Sequence, residues 1–390
     1  MSTSRPESAI DLFSDPVLAD PYPHYRQLRE LGAAVWMQPL AMFALSRFAD
    51  VRDALLNWQV FSSAHGAAMN DPVNQAIAGN TLGSDPPLHD RLRSVLVRPL
   101  SPTGMRQVTA HIEAEAERLV EGLVARGSFD VATDLAQHLP LTVVSHLVGL
   151  PEEGRERMLE WGTAAFNTLG PPNARCLSAM PTAMGLVEYA FTKLDPAVLK
   201  PGSWAALAFA AAERGEITLQ QARGLILDYV GPSLDTTILA ITSAIWLLAR
   251  HPAQWTEVCA NPSLIPGAIN EVLRVESPIQ VFSRFVTRDI QLDNVTLPQG
   301  SRALIMYGSA NRDERKWSEP ERFDIHRKAS EQLAFGHGEH LCVGLPLARL
   351  EIRALLTALA RRVQHFEILD ARWAVNNTLR GLELLRVAVR

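Results

Sequence analysis

Leu333-Ala-Phe-Gly-His-Gly-Glu-His-Leu-Cys342-Val-Gly-Leu-Pro-Leu-Ala-Arg-Leu-Glu351 is a glycine-punctuated loop that delivers one cysteine to the start of a helix. Gly336 and Gly338 permit positive φ and a close approach of backbone to a flat ligand. After Cys342, the residues Leu345, Leu347, Ala348, Leu350 and Leu355 recur at helical spacing, so an amphipathic helix is expected to begin there. Free N–H groups and the positive end of the helix dipole then favour the thiolate, the form of cysteine that ligates a metal.

The rest of the chain leaves that cysteine free to act alone. Cys176, Cys259 and Cys342 are too few and too scattered for a disulfide framework or a Cys/His zinc site. Of the 390 residues, 47% are hydrophobic and 20% charged, and the net charge is −5, which excludes bulk nucleic-acid binding and leaves any basic docking site local. The N-terminus has no apolar targeting core, and no run approaches eighteen uncharged apolar residues, so a cytoplasmic protein with no membrane span is expected. A length of 390 residues admits several domains or one large one.

Residues 1–20 read as a polar lead-in, and a short helix follows from Pro21. Residues 34–45 suggest a small hairpin, and residues 64–84 a long binding loop without a period. Helical patterns run from Pro86 to about Arg126, broken at Pro99 and Pro102, and on through Leu150. Others cover residues 176–193, 203–214 and 262–276. Thr218-x-x-Gln221 resembles a capping box opening an apolar helix of some 30 residues, expected to be the longest, that ends at His251-Pro252 and kinks at Pro232. Short strands are expected around Phe282, Ile290 and Arg302 and near the C-terminus. His89 and Arg93, four apart, share a helix face; by themselves they make only a basic surface. Within the long helix, Asp235-Thr236-Thr237 is embedded in apolar residues, where an uncompensated aspartate is expensive and so argues for function.

Phe335-Gly-x-Gly-x-His340-x-Cys342-x-Gly344 resembles the haem-ligand signature of the cytochrome P-450 superfamily, the haem-thiolate monooxygenases. The resemblance spans nearly the whole chain and implies a single, mainly α-helical domain over residues 1–390 with a small β region, holding haem b. It makes Cys342 the iron ligand and places Phe335 and Gly344 against the cofactor. His89, Arg93, Arg284 and His340 match its propionate partners. Gly231-Pro-Ser-Leu-Asp235-Thr236-Thr237 resembles the oxygen-activation motif, with Asp235 and Thr236 delivering protons and the Thr236 hydroxyl bonded to the Pro232 carbonyl. Pro232-Ser233 departs from the small residues usual there. Glu271, Arg274 and Arg322 match the Glu-Arg-Arg core that holds the cysteine loop.

Residues 166–173, 308–313 and 377–383 carry a closer resemblance, to soluble bacterial members that demethylate para-substituted benzoates such as 4-methoxybenzoate. It implies a substrate pocket lined by Leu82, Phe166, Leu169, Ile279 and Phe282. The carboxylate-gripping pairs of those enzymes are replaced by Ala76 with Gly79 and by Leu227 with Asp228. Asp228 is expected near the face carrying Pro232 and Asp235, so a small neutral or cationic aromatic substrate is expected rather than a carboxylate. Without a flavin domain or an iron–sulfur cysteine set, the chain needs a ferredoxin and its reductase, docking near Arg91, Arg98 and Arg349. A peroxide-driven or rearranging enzyme, and a haem sensor or carrier without turnover, are the alternatives.

Overall fold

Thr218 accepts from the Gln221 amide while Gln221 reaches back to the Thr218 amide, so the helix that crosses the molecule opens with both orphan donors satisfied. We describe it in a computed structural model covering residues 5–390. Eight helices frame the site: α1 (Leu88–Leu96), α2 (Pro102–Arg126), α3 (Glu152–Thr168), α4 (Ala174–Glu188), α5 (Leu219–Val230), α6 (Asp235–Arg250), α7 (Ile265–Val275) and α8 (Leu345–Ala360).

The expected single long helix is two, α5 and α6, and the longest continuous helix is the 25-residue α2. Proline at 232 has no N–H to continue the ladder. The Gly231 amide closes the last regular bond to Leu227 O, and the next begins at Ile238 N to Leu234 O, both 2.9 Å. Between them the Ser233 hydroxyl donates to the Tyr229 carbonyl. The stretch Leu219–Arg250 is long and apolar enough to cross a membrane, but nearly every side chain of α6 is buried among the other helices, as in a core helix.

Short strands form a six-stranded sheet in the order Glu7–Ser8, Val35–Met37, Met42–Leu45, Arg302–Ile305, Phe282–Val286, Phe61–Ser62. The hairpin expected over residues 34–45 forms its second and third strands, paired antiparallel. The polar lead-in is more structured than expected: Glu7–Ser8 pairs with the sheet, and Leu12, Phe13 and Val17 are buried against Tyr22 and Tyr25. Two C-terminal strands of eight residues, Phe366–Trp373 and Leu382–Val389, pair with each other, and the second also pairs with Ser128–Asp130; the loop at 64–84 contains a helical turn, Asp71–Ala76, capped by Asn70.

Candidate active site

Gly336 and Gly338 sit at φ +72° and +68°, and a Cβ on Gly338 would lie 2.6 Å from the Leu55 carbonyl, so the turn depends on glycine. The Cys342 amide donates to Phe335 O at 2.9 Å, closing the loop with the sulfur turned into an internal cavity of about 590 Å³. Cys342 stands three residues ahead of α8. The Gly344 and Leu345 amides and Arg93 favour its thiolate, but burial outweighs them and holds the thiol above its ordinary pKa, so the helix start alone does not ionise it.

This loop is anchored from behind. Glu271 and Arg274, both fully buried on α7, pair through two bonds of 2.7 and 2.8 Å. Arg274 also donates to the carbonyls of Asn311, Pro320 and Arg322, and Asn311 accepts from the Leu333 amide at the loop's entrance. The third member differs from expectation. Arg327, not Arg322, reaches Glu271 at 3.1 Å, whereas the Arg322 side chain is exposed beside Glu319. Arg322 lies within the Pro320-Glu-Arg-Phe stretch and Arg327 four residues beyond it, and only the turn at Asp324 decides which faces inward.

At one end of the cavity Arg93, Arg284 and His340 line the wall. His89 stands behind them, its ring 4.4 Å from that of His340, and does not itself line the cavity. The Nε2 atoms of both histidines are buried without partners, and neither Arg93 nor Arg284 pairs with a carboxylate among the described residues. Burial, then the charges of Arg284, His89 and Arg93, push His340 down to about 2. Apart from exposed Asp90, 3.1 Å from His89 Nδ1, no carboxylate among the described residues meets this cluster, and the two propionates of haem b would supply the missing anions. With the cysteine sulfur turned into the same cavity, these residues fit that cofactor.

The opposite wall is the break between α5 and α6. Thr236 Oγ1 lines the cavity and donates to Pro232 O at 2.9 Å. Asp235 does not line it: the side chain points toward Thr163 on α3, with Oδ2 buried and unpartnered and burial raising the carboxyl to about 6. Gly162 permits this approach of α3, since a Cβ there would already stand 3.1 Å from Gly231 O. Asp228, Pro232, Leu82, Phe166, Leu169, Ile279 and Phe282 all line the cavity. Asp228 Oδ2 accepts from the Thr81 amide at 3.0 Å, pinning the loop that carries Leu82 to α5.

The three segments with the closer resemblance meet in space. Asn377 bonds Asn167 and Asn173, and Thr378 bonds the Phe166 carbonyl; Arg312 and Arg380 share Glu276 with Tyr22. Of the surface arginines, Arg91 is free on α1, but Arg98 is paired with Glu216, and Arg349 is half-buried and bonded to Asn270 at 2.6 Å. Sequence reasoning missed Glu351, quoted in the opening stretch. Both its oxygens are buried without partners beside the cavity, and burial raises it to about 8. Its apolar neighbours on α8 were the available signal.

A cysteine facing a cationic cluster and a broken helix across one cavity defines a haem-thiolate protein. The Cytochrome P450 family model matches residues 260–382. Cytochrome p450 CYP199A2 of Rhodopseudomonas palustris is 38% identical over 98% of this chain and 94% of its own length. The beta-dihydromenaquinone-9 omega-hydroxylase of Mycobacterium tuberculosis is 31% identical over 97% of this chain and 78% of its own. Among solved structures, cytochrome P450 CREJ in complex with (4-ethylphenyl) dihydrogen phosphate superposes with a TM-score of 0.85 at 25% identity, covering 96% of this chain and 98% of that one. The chain belongs to the cytochrome P450 family, haem b-dependent monooxygenases that use dioxygen and redox partners.

Proposed function

We propose that this chain oxidises a small, apolar, neutral or cationic aromatic molecule by O-demethylation or C–H hydroxylation. Electrons come from a ferredoxin and its reductase in the cytoplasm. Demethylation balances as a methoxyarene, dioxygen, two electrons and two protons giving a phenol, formaldehyde and water. The observation that carries the reading is the wall at the helix break: the Thr236 hydroxyl facing the cavity, with the enclosed Asp235 carboxyl one residue away.

Bound haem b would supply dioxygen binding and the oxidising power, with the Cys342 thiolate donating electron density to assist O–O cleavage. The protein's own residues do the rest. Arg93, Arg284 and His340, with His89 behind, would hold the propionates of the bound cofactor. The Thr236 hydroxyl, its proton donated to Pro232 O, presents its oxygen as an acceptor at the cavity wall, and Asp235, with a pKa near 6, exchanges protons near neutral pH. Phe166, Leu169, Ile279 and Phe282 present an apolar wall that excludes water and favours a flat arene. The likeness of residues 166–173, 308–313 and 377–383 to benzoate-demethylating members and the aryl ligand of the CREJ structure support an aromatic substrate.

The test is formaldehyde release from methoxyarenes by the holoenzyme with NADH, ferredoxin and reductase. Product with those partners and its collapse in Thr236→Ala support the reading. Product only with added peroxide selects the peroxide-driven alternative, and haem binding without product selects a sensor or carrier.

A further inference from the structure

Of the acidic side chains on the cavity wall, Asp228 and Glu351 are left unassigned by the chemistry above, and Asp228 is the one across from the cysteine. Asp228 is enclosed on α5, where burial raises its carboxyl to about 6 against the opposing pull of Thr81. Oδ2 is occupied by the Thr81 amide at 3.0 Å, and the Thr81 side chain also favours the carboxylate; no other residue among those described bonds Asp228, and the side chain lines the cavity. Among the described residues no arginine, lysine or histidine pairs with Asp228. The cations that line the same cavity, Arg93 and Arg284, belong to the propionate end. A carboxylate taken from water without a counter-charge is costly, and a cation arriving with the ligand offsets that cost in a way a neutral donor does only in part.

Resting on the reading of this cavity as an arene-oxidising site, we propose that Asp228 is the counter-ion for a protonated amine, so that the preferred substrates are arenes bearing an ammonium group. The spacing limits their length. Eight residues separate Asp228 from Thr236; an unbroken helix would rise roughly 12 Å over them, and with the break at Pro232 that figure sets only the scale of the gap. An ammonium within about 3 Å of Oδ1, with the oxidised carbon near the Thr236 hydroxyl, leaves roughly 6–9 Å between the two. A single para-substituted ring with a one- or two-carbon amine arm fits that span.

The test is a spin-state titration of the haem-loaded enzyme at neutral pH with 4-methoxybenzylamine, 4-methoxybenzyl alcohol and 4-methoxybenzoate, alike in size and differing in charge. The amine is expected to bind about 10-fold more tightly than the alcohol, as a charge-assisted bond does over a neutral one, and the benzoate most weakly. Asp228→Asn keeps an oxygen for the Thr81 amide but loses the charge. It should weaken the amine about 10-fold and leave the alcohol within about twofold. The proposal is overturned if the amine binds no better than the alcohol, or if the variant weakens both alike, Asp228 then merely holding the loop. It is also overturned if the amine gives the red-shifted Soret band of a nitrogen–iron bond, which places the amine at the wrong end. The three-ligand comparison on the unaltered enzyme decides even if the variant loses haem. Failure of all three ligands to shift the spectrum would sink the aromatic reading itself, and this proposal with it.

Discussion

On the cysteine side of the cavity, Glu271 and Arg274 are fully buried and joined by two short bonds, with Arg327 and four backbone groups completing the set. Across the cavity, Asp228 and Asp235 are also enclosed, yet neither meets a cation, and both carboxyls are raised to about 6 by burial. A paired and saturated buried charge has one low-energy arrangement, so it fixes the backbone behind the cysteine loop. An unpaired one costs stability and keeps its proton or its open valence available to a ligand, which suits an acid–base or binding role. The contrast separates a scaffold from a reacting wall built of the same residue types. Glu351, on the cysteine side but unpaired, is the exception.

The largest effect expected from breaking this contrast is at Cys342. Cys342→Ala should abolish the thiolate-type Soret band of the reduced carbon monoxide complex, with no residual signal in the absorption spectrum. Next, Arg274→Ala removes the bidentate partner of Glu271, leaving it Arg327 alone as a cation, and should cost about 3–5 kcal/mol, read as lowered denaturant resistance and haem loss on gel filtration. Arg327→Ala should cost less, and Arg322→Ala should stay within about 0.5 kcal/mol, being an exposed pair. An Arg322 effect as large as that of Arg327 would restore the assignment made from sequence.

Asp235→Asn should lower turnover by about 10²-fold or more if its carboxyl moves protons, measured as product formed per NADH consumed and as rate. The same variant tests the cost of the unpaired charge. A carboxyl whose folded pKa lies above its unfolded one holds its proton more tightly in the native state. The native state is therefore penalised as pH rises from the ordinary value of 3.8 through about 6. The variant should match the parent near pH 3.8 and gain up to about 3 kcal/mol at pH 8, checked by denaturant unfolding at both values. A gain at both would mean that packing, not charge, was relieved. The smallest change is Ser233→Ala, which removes the hydroxyl on the Tyr229 carbonyl and should cost about 1 kcal/mol, readable as a modest fall in melting temperature.

Much of this molecule is local and was therefore open to reading from the chain. The cysteine loop, the capping box at Thr218, the interruption at Pro232 and the hairpin at residues 34–45 each follow from residues within one or two turns of each other. The same holds for the Thr236 hydroxyl and the Pro232 carbonyl, four apart on one face. What escaped that reading depends on partners distant in sequence. Arg327 rather than Arg322 faces Glu271 because a turn packs against α7. Asp235 turns away from the cavity because α3 approaches at Gly162, and Asp228 is tied down by an amide 147 residues away. Arg98 and Arg349 likewise find partners, Glu216 and Asn270, that no local pattern announces. The sequence by itself determined the glycine-bounded cysteine loop, the family and where the long helix must break, since backbone sterics and motif spacing act over a few residues. Tertiary structure alone decided which buried charges are paired and which face the substrate, because desolvation and pairing depend on what the rest of the chain brings alongside.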